Sequence, residues 1–309
     1  MSASEFGAEL VPALYARYGS DLASLERFEP QLPTLGSAVH KEARKVLYLM
    51  VRHFAPDTVV EISPKRGLST LHIALALEHN GRGRVRSFEI DYRSLRSAAE
   101  SLRRNGLAHR VVWHYGDARI EVPRQVAGLE GLEFLFLDSE HSAEFARWYT
   151  RALFPRVRRG GIIHVDDVMT DPRNAARREL ALPHTGEEEE VVRFLLGHAE
   201  RYAWFSLGDC VRQPAYLEAV RPFGGGNVDF DAAAASRIRQ ALGDHVRTEW
   251  NPSLWVQKIG TEAEPIPAWP PSPTRRRDPV TRLLGALRRR RLSALSGPAT
   301  PAPRQRRAE

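Results

Sequence analysis

The chain predicts an α/β fold built on a doubly wound, mostly parallel sheet, and three observations predict it. Short apolar, β-branched runs alternate with stretches whose apolar residues recur at helical spacing. The run Thr58–Ile62 leads into a tight turn with Pro64 and Gly67, then into an apolar stretch from Leu71 to Leu77. Acids recur at the carboxyl ends of the runs: Glu61, Glu89, Asp138 and the pair Asp166-Asp167. In open parallel sheets that edge is where ligands sit.

Each element follows from its pattern. Strands are expected at 58–62, 84–90, 111–115, 133–138, 161–167, 202–207 and 253–259, the last antiparallel beside the sixth. Helices are expected at 4–18, 37–54, 91–105, 143–154 and 190–198. After Ile62 the turn 63–68 opens a further helix, with Ser69 or Thr70 as its cap. The turn is not G-x-G-x-x-G, because Ser63 and Lys65 stand where glycines would be.

Three domains are expected: an N-terminal helical extension 1–36, the main α/β domain 37–259, and a Pro/Arg-rich tail 260–309. Within the main domain, 209–251 reads as an insertion that shapes substrate access or a homo-oligomer contact. The connection from Val168 to Glu190 is long and polar, as lids and substrate selectors often are. Its four glutamates, Glu187 to Glu190, read as a solvated helix N-terminus favoured by the macrodipole.

Charge and composition exclude several classes. The net charge is +7, and residues 260–309 hold eleven arginines against four acids, so residues 1–259 are neutral. A neutral domain offers no phosphate-tracking face, and no Asn-Pro-Pro-Tyr tetrad is present for a flipped base. No nucleic-acid partner is expected. The tail is expected to be mostly disordered, with a short amphipathic helix at 279–295. Residues 275–295 suit an anionic membrane surface or an acidic partner; a solubilising tail is the other reading. No apolar run of about 18 residues spans a bilayer. The single cysteine, Cys210, fits a reducing cytoplasm and a half-buried strand-end thiol better than a nucleophile.

Three carboxylates carry the strongest chemical signal. If the fourth and fifth strands are neighbours, Asp138, Asp166 and Asp167 converge, and crowded hard oxygen ligands call for Mg²⁺ or Ca²⁺. The competing reading is that Asp138 caps the next turn, alongside Ser139 and Ser142. His141, three residues on, lies on the same edge and titrates near neutrality, which suits a general base; a structural histidine is the other reading. His164, mid-strand, is assigned to packing.

Taken in order, Glu61…Gly67, Glu89, Gly116-Asp117-Ala118, Asp138, Gly160-Gly161 and Asp166-Asp167 resemble the class I methyltransferases that use S-adenosylmethionine. Nearest are the metal-dependent O-methyltransferases of catechol type and macrolide-sugar type, over roughly Ser37 to Ile259. The resemblance implies a Rossmann-like sheet of seven strands, Glu89 on the cofactor ribose, and Asp117 with Ala118 on the adenine edge. It implies Glu61, Ser63, Gly67 and Ser69 at the methionine end, and Asp138 between cofactor and metal. Asp138, Asp166 and Asp167 match the family's metal positions, with Mg²⁺ as the ion, and His141 matches the base of the sugar-type enzymes. Catechol-type enzymes carry asparagine at the Asp167 position and a lysine base; sugar-type enzymes carry glutamate at the Asp166 position. The implied acceptor is a small-molecule hydroxyl on a sugar, a polyketide or a catechol. The alternative reading is a non-catalytic or hydroxylase-like protein of the same fold, acting through its basic tail.

Overall fold

The computed structural model describes residues 6–7, 9–31, 41–125, 131–166, 187–207, 214–223 and 253–260. Its centre is a seven-stranded sheet in the order β3-β2-β1-β4-β5-β7-β6. The strands are β1 (Thr58–Ile62), β2 (Arg84–Glu89), β3 (Val111–Tyr115), β4 (Leu132–Leu137), β5 (Val157–Val165), β6 (Tyr202–Ser206) and β7 (Leu254–Lys258). The first five pair in parallel, while β7 enters antiparallel between β5 and β6. The expected seven strands are all present, the last one antiparallel.

Strand alternation divides the core between the two faces of the sheet. Val59, Val85, Phe134, Phe136, Ile162 and Trp255 belong to one apolar cluster. Their sequence neighbours Val60, Leu135, Leu137, Ile163, Leu254 and Val256 belong to the other. Both faces are covered, so the strands read as continuous apolar runs.

The first cluster is closed by α1 (Leu10–Tyr18), α2 (Lys41–Phe54), α3 (Leu68–His79) and α4 (Tyr92–Arg104). The second is closed by α5 (Ala118–Gln125), α6 (Ala143–Ala152) and α7 (Glu187–Leu196). Caps set two of these starts: Asp91 accepts from Arg93 and Ser94 amides, and Ser142 from the Phe145 amide. Ser69 and Thr70 do not cap α3. That place belongs to Gly67, left-handed at φ 88°, with no side-chain bond.

The amino-terminal helix is part of the main core. Val11, Leu14 and Tyr15 are buried on α1, and the Tyr15 hydroxyl donates to Glu42 of α2. Tyr216 donates to the same carboxylate from α8 (Pro214–Val220), a helix inside the 209–251 insertion that the sequence pattern did not reveal. Between α1 and α2, residues Gly19–Gln31 wind as 3-10 turns. Residues 224–251 of the insertion, the connection 168–186, Cys210 and the tail beyond 260 lie outside the described residues.

Candidate functional site

The carboxyl edge of the parallel strands is stitched by backbone bonds that continue one residue past each strand. The Ser63 amide donates to Phe88 O at 2.8 Å, Gly116 N to Glu89 O at 2.9 Å, and Asp166 N to Leu137 O at 2.8 Å. The Asp138 amide reaches Ile62 O at 3.3 Å. Chain order reverses about β1, between β2 and β4, so the crevice lies over the ends of β1 and β4. Ser63, Glu89, Asp138 and Asp166 thus come to one rim, as the sequence predicted.

The turn after β1 is strained. Ser63 and Lys65 hold left-handed φ values of 66° and 53°, and Gly67 follows at 88°. Non-glycine residues in that region cost roughly 1–2 kcal/mol each. The strain turns the Lys65 amide onto Glu89 Oε2 at 3.0 Å, while the Asp91 amide holds Oε1 at 2.8 Å. Burial pushes the Glu89 carboxyl above its ordinary range, against those amide donors. Beside it Ile90 is 64% exposed, a large apolar side chain left bare at the rim that the sequence reading passed over.

Glu61 and Ser69, expected to meet the methionine end of a cofactor, face each other inside the protein. Ser69 donates to Glu61 Oε1 at 2.8 Å, and Thr70 and Ser87 donate to Oε2 at 2.8 and 2.7 Å. Burial drives the Glu61 carboxyl upward and the three hydroxyls oppose it. This corrects the direct-contact reading: the acid is sealed, and it ties the start of α3 to β1 and β2. Ser63 and Gly67 remain at the crevice through their backbone.

At the end of β3, Asp117 accepts from its own helix start, Arg119 N at 2.9 Å, and from Arg119 Nη2 at 2.9 Å. The carboxylate expected at an adenine edge is therefore clasped by Arg119, which also reaches Glu144 at 3.4 Å. Ala118 is buried beside it.

Asp138 and Asp166 follow directly on the paired residues Leu137 and Val165, so the two acids end neighbouring strands. Asp166 is buried, and its Oδ1 takes the Ser253 hydroxyl at 2.7 Å and lies 3.5 Å from His164 Nε2. Burial alone would raise its pKa; His164, then Ser253 and the charge of His141, reverse that and hold it below the ordinary carboxylate range. His164 packs as expected, stacked on Phe136 at 5.0 Å and against Trp255 at 4.2 Å. It also supports Asp166, which the packing assignment missed. Asp167 lies outside the described residues. Among the described residues no group of three or more His, Cys, Asp or Glu side chains is arranged to hold a metal.

His141 sits half-buried in the loop between β4 and α6, and its Nδ1 is 2.7 Å from Glu187 Oε2. Glu187 Oε1 accepts from the Tyr149 hydroxyl at 2.9 Å. The expected solvated role of Glu187 is overturned: it is 3% exposed. The signal was present in the helical spacing, because Glu187, Val191 and Leu195 share one face and all three are buried. Four consecutive glutamates concealed it.

Comparison with known proteins gives the family. A family described as a methyltransferase domain matches residues 60–168. A catechol O-methyltransferase of Mycobacterium tuberculosis is 31% identical over 202 residues, covering 62% of this chain and 85% of that protein. Among solved structures, the O-methyltransferase TomG of Streptomyces achromogenes, involved in tomaymycin synthesis and in complex with SAM, is 22% identical. The match covers 78% of this chain and 89% of that one, with a TM-score of 0.49. An O-methyltransferase of Bacillus cereus in complex with SAH is 21% identical over 64% and 91% of the two chains, with a TM-score of 0.48. The mycobacterial relative is matched over most of its length. The chain belongs to the class I S-adenosylmethionine-dependent O-methyltransferases, and it is a methyltransferase enzyme.

Proposed function

We propose that this enzyme methylates a hydroxyl of a small molecule carrying two vicinal oxygens, with a catechol as the first acceptor to try. The observation that carries the reading is the placement of His141, backed by a buried carboxylate, beyond the end of β4, whose strand end lies beside that of Asp166. The name of the mycobacterial relative supports the catechol class.

S-adenosylmethionine supplies an electrophilic methyl group when bound. The chain's part is orientation, which in well-aligned reactions reaches effective molarities on the order of 10⁵ M. Glu89, fixed by the Lys65 and Asp91 amides, is placed to accept from ribose hydroxyls, with Ile90 as an apolar floor beside it. The Ser63–Gly67 turn would face the methionine end with its backbone. As the acceptor oxygen bonds to the methyl carbon and the carbon–sulfur bond breaks, the acceptor's proton passes to His141.

The donor set at the rim has the chemistry of a hard-cation site. Asp138 and Asp166 end adjoining strands, and Asp166 is held in its charged form by its neighbours. Asp138, Asp166 and Asp167 would hold Mg²⁺, whose contribution would be to chelate two vicinal oxygens and lower their pKa. Calorimetry with S-adenosylmethionine, with and without Mg²⁺, followed by methylation of catechol, tests the proposal. Heat on cofactor binding, and turnover abolished by excess EDTA and restored by Mg²⁺, are expected. Full turnover in excess EDTA would remove the cation from the reaction.

A further inference from the structure

We infer that Glu187 is a positioning residue that fixes His141 in the tautomer whose Nε2 is free of hydrogen. The inference rests on the reading of His141 as base and deepens it. Three segments meet here: the loop after β4 brings His141, α6 brings Tyr149, and α7 brings Glu187. The Tyr149 hydroxyl has a single proton, and it is spent on Glu187 Oε1 at 2.9 Å. Burial, and then the adjacent Glu187 charge, push the Tyr149 pKa far up, so that proton stays in place.

Oε2 is then left facing Nδ1 of His141 at 2.7 Å. An ionised carboxylate only accepts hydrogen bonds, so the ring nitrogen opposite must carry the hydrogen. A neutral imidazole has one N–H, and with that hydrogen on Nδ1 the lone pair is on Nε2. Arg147, two residues before Tyr149 on α6, bonds Glu190, three residues past Glu187 on α7, at 2.9 Å, which keeps the helices in register. Asp166 is a further carboxylate whose charge interacts with His141.

The proton balance is complete without another reactant. The acceptor's O–H proton moves to Nε2 while the oxygen–methyl bond forms and the methyl–sulfur bond breaks. Nδ1–H stays where it is, and the resulting imidazolium lies against Glu187. A carboxylate bound to the far nitrogen both orients the ring and raises its basicity.

The decisive measurement is the tautomer of His141 in the full-length protein, read from two-bond proton–nitrogen correlations of the neutral ring. The resonance is assigned by its loss in His141→Gln. Wild type is expected to show Nδ1–H. In Glu187→Gln, Tyr149 holds the amide oxygen, the amide NH₂ turns to Nδ1, and the hydrogen is driven to Nε2. Glu187→Asp, one methylene shorter, is expected to give a mixture, and it serves as the second variant. Both are expected to keep wild-type affinity for S-adenosylhomocysteine, and kcat with catechol should fall on the order of 10²-fold at unchanged KM for S-adenosylmethionine. Nε2–H in wild type, or Nδ1–H persisting in Glu187→Gln, overturns the positioning role. Loss of cofactor affinity in step with kcat in both variants also overturns it, since that marks a scaffold residue. A His141→Ala variant methylating at the wild-type rate would instead sink the base reading and leave the tautomer result standing.

Discussion

Two histidines inside the fold make acid stability a property of single residues. His72 is buried on α3 with Nδ1 2.8 Å from Leu68 O, and burial lowers its pKa to about 3. His114, stacked on Phe88, is lowered to about 4 by burial and then by Arg86. Both folded values lie below the ordinary value of 6.5, so between the two the unfolded chain binds more protons. The stability these two groups contribute therefore falls as pH drops below about 6.5, by about 2 kcal/mol for the buried His72 at pH 5. Urea midpoints at pH 7 and pH 5 check this: the drop should shrink in His72→Gln, and a drop of wild-type size would rule His72 out. Neither position stands out in the sequence, which carries no record of which side chains close over it.

At the scale of elements, the β1–α3 turn is where sequence and geometry meet. Gly67 has φ +88°, and a Cβ there would lie 2.9 Å from Ala98 Cβ and 3.0 Å from its Cα on α4. Gly81 has φ +70° with nothing within 4 Å. Gly67→Ala should cost about 2 kcal/mol or more and weaken S-adenosylhomocysteine binding, whereas Gly81→Ala should cost about 1 kcal/mol and leave binding alone. Denaturant unfolding and calorimetry on the two variants measure the difference; equal costs would refute the close-approach argument. The turn itself was legible from Pro64, Gly67 and the apolar runs on either side. That Ser63 and Lys65 also take left-handed conformations was not, since neither is a residue that favours them.

For the whole molecule, charge separates the catalytic part from the tail. All of the net +7 is carried by residues 260–309, and among the described residues no helix is long and apolar enough to cross a membrane. Removing residues 261–309 should leave S-adenosylhomocysteine affinity unchanged and abolish sedimentation with phosphatidylserine vesicles at low salt. Vesicle binding that is the same with and without the tail would end the membrane reading.

Local pattern was enough to determine the order of the strands, most of the helices and the acids at the strand ends. A strand's two-residue period and a helix's 3.6-residue period are written in neighbouring residues. That is why Glu89, Asp138 and Asp166 can be placed at strand ends from the sequence alone. What only the tertiary structure decided are the partnerships between distant positions. His141 meets Glu187 across 46 residues, and Asp166 meets Ser253 across 87. Glu61 turns inward because Ser87, 26 residues on, arrives to donate to it. No periodicity encodes which buried polar group finds which partner; the packing of whole elements chooses them, and each choice then sets what the side chain can do.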